Sequence, residues 1–254
     1  MDRLEAERIR VDGLQVRVVG RCTSTNALLL EAPGGGAALL AADEQTLGRG
    51  RRGRRWHAAP GSAAMFSIRR AMACAPAALA GLPLAIGVAA ARALRALGVR
   101  GVALKWPNDL MARGAKLGGI LVETRQRTGA LVAVIGIGIN CRAAPGLGER
   151  LRRQVAALDD LRQPPIERNR VIEAVAREVL AALGVFERAG LAPFASEWQA
   201  LHAHEGRRLR VRMAGGRTLS GLAAGLSPAG ALRLRTRRGV QEIVSGTVLP
   251  GSRP

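Results

Sequence analysis

Lys105-Trp106-Pro107-Asn108-Asp109-Leu110 and Lys116-Leu117-Gly118-Gly119-Ile120-Leu121-Val122-Glu123 contain both lysines of this 254-residue chain, which otherwise writes its cations as 37 arginines. An ammonium is a compact point charge with rotatable donors, whereas guanidinium is a rigid planar fork. An ammonium kept at two neighbouring places suits a clamp on a carboxylate or phosphate oxygen. Asparagine is distributed in a similar way. Of four, three (Asn26, Asn108 and Asn140) stand in short motifs, two of which contain glycine or lysine.

The apolar runs beside the lysines predict strands. Gly101 to Trp106 is one, stopped by Pro107, which cannot donate to a ladder. Lys116 to Thr124 and Ala130 to Ile139 are two more, joined by a turn at Arg127-Thr128-Gly129. If the strands ending at Lys105 and beginning at Lys116 pair antiparallel, both lysines lie near one end of the same sheet. Further out, Leu14 to Arg21, Ala37 to Ala42 and Ala64 to Arg69 also read as strands. Thr23-Ser24-Thr25-Asn26 reads as a turn or helix N-cap, and Pro33 to Gly36 ends that helix. Pro76 to Gly98 reads as a buried helix. Cys141 to Asp160 reads as a loop with a short helix. Val171, Ile172, Val175, Val179, Leu183 and Phe186 recur at helical spacing, with Gly190 as the stop. The last fifty residues change character. Arg207 to Met213, Thr218 to Leu226, Ala231 to Thr236 and Val240 to Leu249 are short runs separated by turns, which predicts a small appended β-barrel.

The length fits one large domain, or one domain plus an appendage. Apolar residues make up 48% of the chain, yet there are three Phe, three Trp and no Tyr, so Ala, Leu and Val must build the core. No membrane span is expected. The N-terminus, Met1-Asp2-Arg3-Leu4-Glu5, alternates charge and lacks a signal-like apolar stretch. Three scattered cysteines without CxxC spacing predict reduced thiols in a cytoplasmic protein. The formal charge of +20 raises a nucleic-acid reading. The arginines are spread singly, however, and stacking aromatics are nearly absent. A solvated basic surface, able to steer an acidic protein partner, is the better expectation.

Gly48-Arg49-Gly50-Arg51-Arg52-Gly53 matches the dinucleotide pattern GxGxxG literally, but a helix should follow. Arg54-Arg55-Trp56-His57 and Pro60-Gly61 do not start one. Glycines that allow close backbone approach, interleaved with forked donors, instead describe a loop that folds over an anion. Taken in order and spacing, Ser24-Thr25-Asn26, Gln45, GRGRRGRRW at 48–56, KWPNDL at 105–110, KLGGILVE at 116–123 and GIGIN at 136–140 resemble a biotin–protein ligase.

That resemblance implies an α/β (α+β) catalytic domain, 1–203, with a mixed sheet flanked by helices and a class II synthetase-like fold. A small C-terminal SH3-like β-barrel, 204–254, would follow. It implies that biotin and ATP, with Mg2+, form biotinyl-5′-AMP, and that biotin then passes to a lysine of the biotin carboxyl carrier protein of a carboxylase. Ser24, Thr25, Asn26 and Gln45 would line the biotin pocket, although the trio reads equally as an ordinary N-cap. Arg49, Gly50 and Arg51 would fold over the carboxylate and phosphate, with Arg52, Arg54 and Arg55 toward solvent or the triphosphate. Lys116 would hold the carboxylate and then the bridging phosphate, with Gly118 beside it. Lys105 would support the loop or the ATP. Asn108 would meet the phosphates or the magnesium. Asp109 would orient or deprotonate the acceptor lysine, or cap the turn after Pro107. Gly136, Gly138 and Asn140 would approach ribose and adenine. Trp56, at the biotin site, and Trp106 would be packing walls.

The pattern departs from the family in three places. About two dozen residues precede Ser24, too few for the DNA-binding winged helix of many relatives, so specific DNA binding is not expected. No aromatic between Cys141 and Asp160 covers the adenine, which leaves Leu151, Val155 or Leu158. Gly118 replaces a common alanine. A homodimer is compatible with the resemblance. The rival readings are a lipoate–protein ligase-like acyltransferase and an Arg-rich nucleic-acid-binding module.

Overall fold

The computed structural model describes residues 2–249 apart from 34, 35, 128, 129, 145 and 214. A seven-stranded mixed sheet dominates. Its strands are β1 (Gln15–Cys22), β2 (Ala38–Gln45), β3 (Ala63–Met72), β4 (Val102–Lys105), β5 (Asp109–Ala112), β6 (Ala115–Arg127) and β7 (Ala130–Asn140), in the order β1-β2-β3-β7-β6-β5-β4. Of the strand pairs in this sheet, among the described residues, β1 with β2 is the parallel one. The crossover between them is α1 (Thr25–Glu31), which a parallel connection needs.

Period-2 alternation gives the sheet two different faces. From β7, Ala133, Ile135, Ile137 and Ile139 enter the main core. That core is filled by α2 (Leu82–Ala96), α4 (Arg168–Ala189) and α5 (Ala192–Leu201). The intervening Val134 packs on the other face, with Leu29 of α1, Ala38 and Leu40. The predicted α4 stripe is borne out: Val171, Ile172, Val175, Val179 and Leu183 are all fully buried. By length and composition Pro76–Ala96 could cross a membrane, contrary to the expectation from the sequence. Here it is a 3-10 turn followed by α2, mostly buried inside the protein. α5 lies beyond the predicted stop at Gly190, and its apolar stripe is only three residues long. Pro193 starts it, and Phe194, Trp198 and Leu201 anchor it.

The pairing of the two lysine strands differs from the expectation. A four-residue strand, β5, intervenes, and both β4 and β6 pair antiparallel with it, so they run parallel to each other. Four residues are too few to display a period. The tight turn that follows, Arg113 (φ 49) and Gly114 (φ 78), is a two-residue hairpin loop with both residues left-handed. The expected turn at 127–129 and the glycines at 34–35 fall partly outside the described residues.

After α5 come β8 (Arg208–Met213), β9 (Thr218–Leu226), β10 (Leu232–Thr236), β11 (Gly239–Ile243) and β12 (Gly246–Val248), an antiparallel barrel-like sheet ordered β11-β10-β9-β8-β12. The run Val240 to Leu249, predicted as one strand, is broken at Val244-Ser245. Its halves pair with opposite edges of the sheet, β10 and β8. Trp106 donates from Nε1 to Gly230 O at 3.1 Å and so ties this sheet to the main domain.

Candidate active site

The face of the large sheet that carries α1 holds a pocket. Its floor is Gly119, Leu121, Gly136 and Gly138. Ser24 to Asn26 and Gln45 form one wall, Asn108, Asp109 and Lys116 another, and the segment from Arg49 to Trp56 the roof. The glycines of the floor make room for neighbouring side chains. A Cβ on Gly136 would run into the Asn26 amide, and one on Gly138 would lie 2.7 Å from the Trp56 ring.

The biotin-side wall predicted from the sequence is a continuous chain of polar side chains. Gln45 Oε1 accepts from Thr25 N at 2.8 Å. Thr25 Oγ1 shares a 2.7 Å bond with Ser67 Oγ, and Ser67 donates to Asn26 Oδ1 at 2.6 Å. Asn26 Nδ2 donates to Glu123 Oε2 at 2.8 Å, and Arg49 pairs with Glu123 at 2.9 Å. Thr25, Asn26 and Ser67 are buried, so each hydrogen bond meets a polar group that would otherwise cost free energy. Ser24 also caps α1, its Oγ accepting from Ala27 N. The capping role and the wall role therefore coexist in the trio.

The opposite wall is electrostatic. Lys116 Nζ bonds the Asp109 carboxylate. Burial pulls the Lys116 pKa below the ordinary lysine value, and Asp109 works against that pull. A buried ammonium with one carboxylate neighbour gains from a second anion. Lys105 stands opposite Asp109 in the strand register and lines a second, outer cleft. Burial lowers its pKa as well. That cleft runs past Arg54, Arg55 and Arg153 to Arg207, Arg208 and Arg210 of the terminal sheet.

The roof is a small antiparallel fold-back. Trp56 N donates to Gly48 O at 2.9 Å and Gly50 N to Arg54 O at 2.7 Å. Arg51 lines the pocket. Burial and the charges of Arg52 and Arg54 lower its pKa, and among the described residues it has no ion-pair partner. Trp56 is half-buried over Gly138. Its Nε1 has no partner among the described residues, and its ring lies 6.0 Å from Lys116 Nζ.

Residues 19–140 match the Biotin/lipoate A/B protein ligase family, and 204–249 match the Biotin protein ligase C terminal domain. The chain is 38% identical to the bifunctional ligase/repressor BirA of Escherichia coli (strain K12), over 91% of this chain and 73% of that one. It is 35% identical to a biotin--[acetyl-CoA-carboxylase] ligase of Mycobacterium tuberculosis, over 87% of this chain and 83% of that one. This chain is a biotin protein ligase by family. Among solved structures, the biotin protein ligase from Aquifex aeolicus in complex with biotin and ATP superimposes with a TM-score of 0.78. That match has 27% identity and covers 92% of this chain and 97% of that one.

Within this ligase fold the predicted site residues divide. Ser24, Thr25, Asn26, Gln45, Arg49, Gly50, Arg51, Arg54, Trp56, Asn108, Asp109, Lys116, Gly136 and Gly138 line one pocket. Gly118 faces the opposite side of the sheet, 2.6 Å from Gly138 O if it carried a Cβ, and its neighbour Gly119 reaches the pocket. Asn140 lies at the strand's far end, where its Nδ2 donates to Ala156 O at 3.0 Å and Lys116 O at 3.3 Å. That bond fixes the segment after β7 beside Lys116, and Val155 forms a bridge with Lys116 there. Leu158 is buried in the core and cannot cover a base, whereas Leu151 lines the outer cleft. Trp106 is a core wall. Sequence reasoning missed Ser67, Glu123, Gly119 and Arg153. Ser67 had a readable signal, as the lone hydroxyl within the apolar run Ala63 to Ile68.

Proposed function

We propose that this ligase adenylates biotin with ATP and passes the biotin to a lysine of a biotin carboxyl carrier domain. One juxtaposition carries the reading: a wall of linked hydroxyl, amide and carboxylate side chains meets the Lys116 ammonium and the Arg51 guanidinium, which has no ion-pair partner among the described residues, across a single pocket. The wall suits the ureido ring of biotin, which offers both donors and acceptors. Lys116 holds the carboxylate. Two anions then meet only because cations screen their repulsion, and donors already in place stabilise the charge that grows on the α-phosphoryl oxygens. Arg51, unpaired and aimed into the pocket, supplies one such donor. Lys105 and Arg54 extend the positive field along the outer cleft for the remaining phosphates. Asp109 faces the acceptor amine, where it can orient it and receive its proton.

Asn108 commits its Nδ2 to Ile120 O at 2.6 Å, which leaves its side-chain oxygen as a hard donor suited to magnesium. Magnesium bound through the phosphates would neutralise triphosphate charge. We assign the chemistry to residues 1–203, with 204–254 closing the outer cleft, and place the enzyme in the cytoplasm, in keeping with three free cysteines.

A lipoate ligase or a related acyltransferase is the nearest alternative. A dithiolane ring makes little use of a buried chain of hydrogen-bonding groups. Among the described residues no cysteine lines the pocket, and burial pushes the Cys141 thiol up to about 12. The deciding experiment is biotin-dependent exchange of pyrophosphate into ATP by the purified chain, with lipoate as competitor. Folded protein that exchanges nothing above background sinks the reading. Exchange driven better by lipoate hands it to the alternative. Sequence-selective retention on DNA at physiological salt would revive the nucleic-acid reading.

A further inference from the structure

Two consecutive arginines of the roof do opposite things. Arg51 lines the pocket. Arg52 has φ 57 and ψ 42, a left-handed conformation that residues with a Cβ avoid. The turn at this residue sends its side chain the other way. There the guanidinium fork spans two hydroxyls of the terminal sheet: Nη2 donates to Ser245 Oγ at 2.8 Å, and Nη1 to Thr247 Oγ1 at 3.0 Å. Ser245 belongs to the break between β11 and β12, and Thr247 to β12. An unfavourable backbone held in place by a two-pronged bond marks a constrained position.

The opposite end of the roof is pinned separately, by Arg49 on Glu123 of the large sheet. The roof is thus fastened at one end to the biotin wall and at the other to a different domain. We infer that Arg52 is a positioning residue that latches the Arg-Gly loop shut through Ser245 and Thr247, so that the terminal sheet sets how long a reactive adenylate stays covered. The inference rests on the ligase reading for its consequence but not for its geometry, and two measurements separate them.

The first is limited trypsin digestion of the ligand-free protein, with cleavage between Arg49 and Arg55 followed by mass spectrometry. Ser245→Ala with Thr247→Val removes the acceptors and leaves every loop cleavage site intact. The loop should be cut faster in this double variant than in the parent. Ser245→Ala alone, at an exposed turn, gives the same reading if the double variant folds poorly. The second is the lifetime of preformed biotinyl-adenylate on the enzyme. Loss of the latch should shorten it about tenfold, the worth of two modest hydrogen bonds, while the adenylation rate at saturating biotin and ATP stays near the parent's. Arg52→Lys, which reaches one hydroxyl at a time, should restore part of the lifetime lost in Arg52→Ala. Equal cleavage and equal adenylate lifetimes in parent and double variant overturn the latch. A parent that makes no adenylate overturns the ligase reading instead, and the digestion still decides the latch.

Discussion

The two walls of the pocket follow contrasting rules. On the α1 side polar side chains are bonded one to the next, from half-buried Gln45 through buried Thr25, Ser67 and Asn26 to half-buried Glu123. On the lysine side cations exceed anions: Lys116, Lys105, Arg51, Arg54 and Arg153 share Asp109 as their nearby carboxylate. The first wall is held in one arrangement without a ligand, and the donor and acceptor capacity left over, such as the Gln45 amide nitrogen, can select by shape and hydrogen-bond pattern. The second is electrostatically unfinished until anions arrive. In the proposed function recognition and activation fall on opposite walls of one pocket, with β6 supplying Glu123 to the first and Lys116 to the second.

The contrast is tested most severely at Lys116. Lys116→Ala should cut the pyrophosphate exchange rate about 10²–10³-fold while the melting temperature stays near the parent's. A collapse in melting temperature would make the lysine structural. On the first wall, Gly136→Ala forces a methyl into the Asn26 amide. It should cost about 1–3 kcal/mol, shared between biotin affinity by calorimetry and stability by urea unfolding, with ATP binding spared. Ser67→Ala leaves Thr25 and Asn26 each short of one partner. About 1 kcal/mol of stability should go, and an unchanged urea midpoint would show that the chain of bonds contributes little.

The smallest effect is in pH dependence. Lys116 is useful as an ammonium, and burial lowers its pKa, so kcat/KM for biotin should fall at a lower alkaline pH than an ordinary lysine would dictate. A bound carboxylate raises the pKa again, so kcat should fall at higher pH than kcat/KM. Because the folded-state pKa lies below the unfolded one, charged Lys116 costs stability at neutral pH, and that cost fades as pH rises through the window between the two values. Profiles with coincident alkaline limbs would place the ionisation elsewhere.

Much of this contrast could be read from the sequence. The motifs brought most of the pocket together because lysine, asparagine and glycine are scarce or conformationally special where they occur. The α4 stripe was legible because one side of a long helix must be apolar. What escaped notice was short or depended on pairing. β5 has too few residues for a period, and α5 is held by tertiary packing. That Gly119 rather than Gly118 faces the pocket depends on the strand's register against β7, which no local pattern states. Ser67 and Glu123 gain their meaning only from Asn26, 41 and 97 residues away.

The fork from Arg52 to Thr247 joins positions 195 residues apart. A ribosome that has just made the Arg-Gly segment must therefore translate most of a domain, and then a second one, before that segment finds its hydroxyl acceptors. Because domains fold as units during synthesis, the large sheet and its polar wall can form early, whereas the lid gains its far anchor only when translation has reached β12. A nascent chain in between would carry a vitamin-binding surface without the means to keep a labile acyl phosphate.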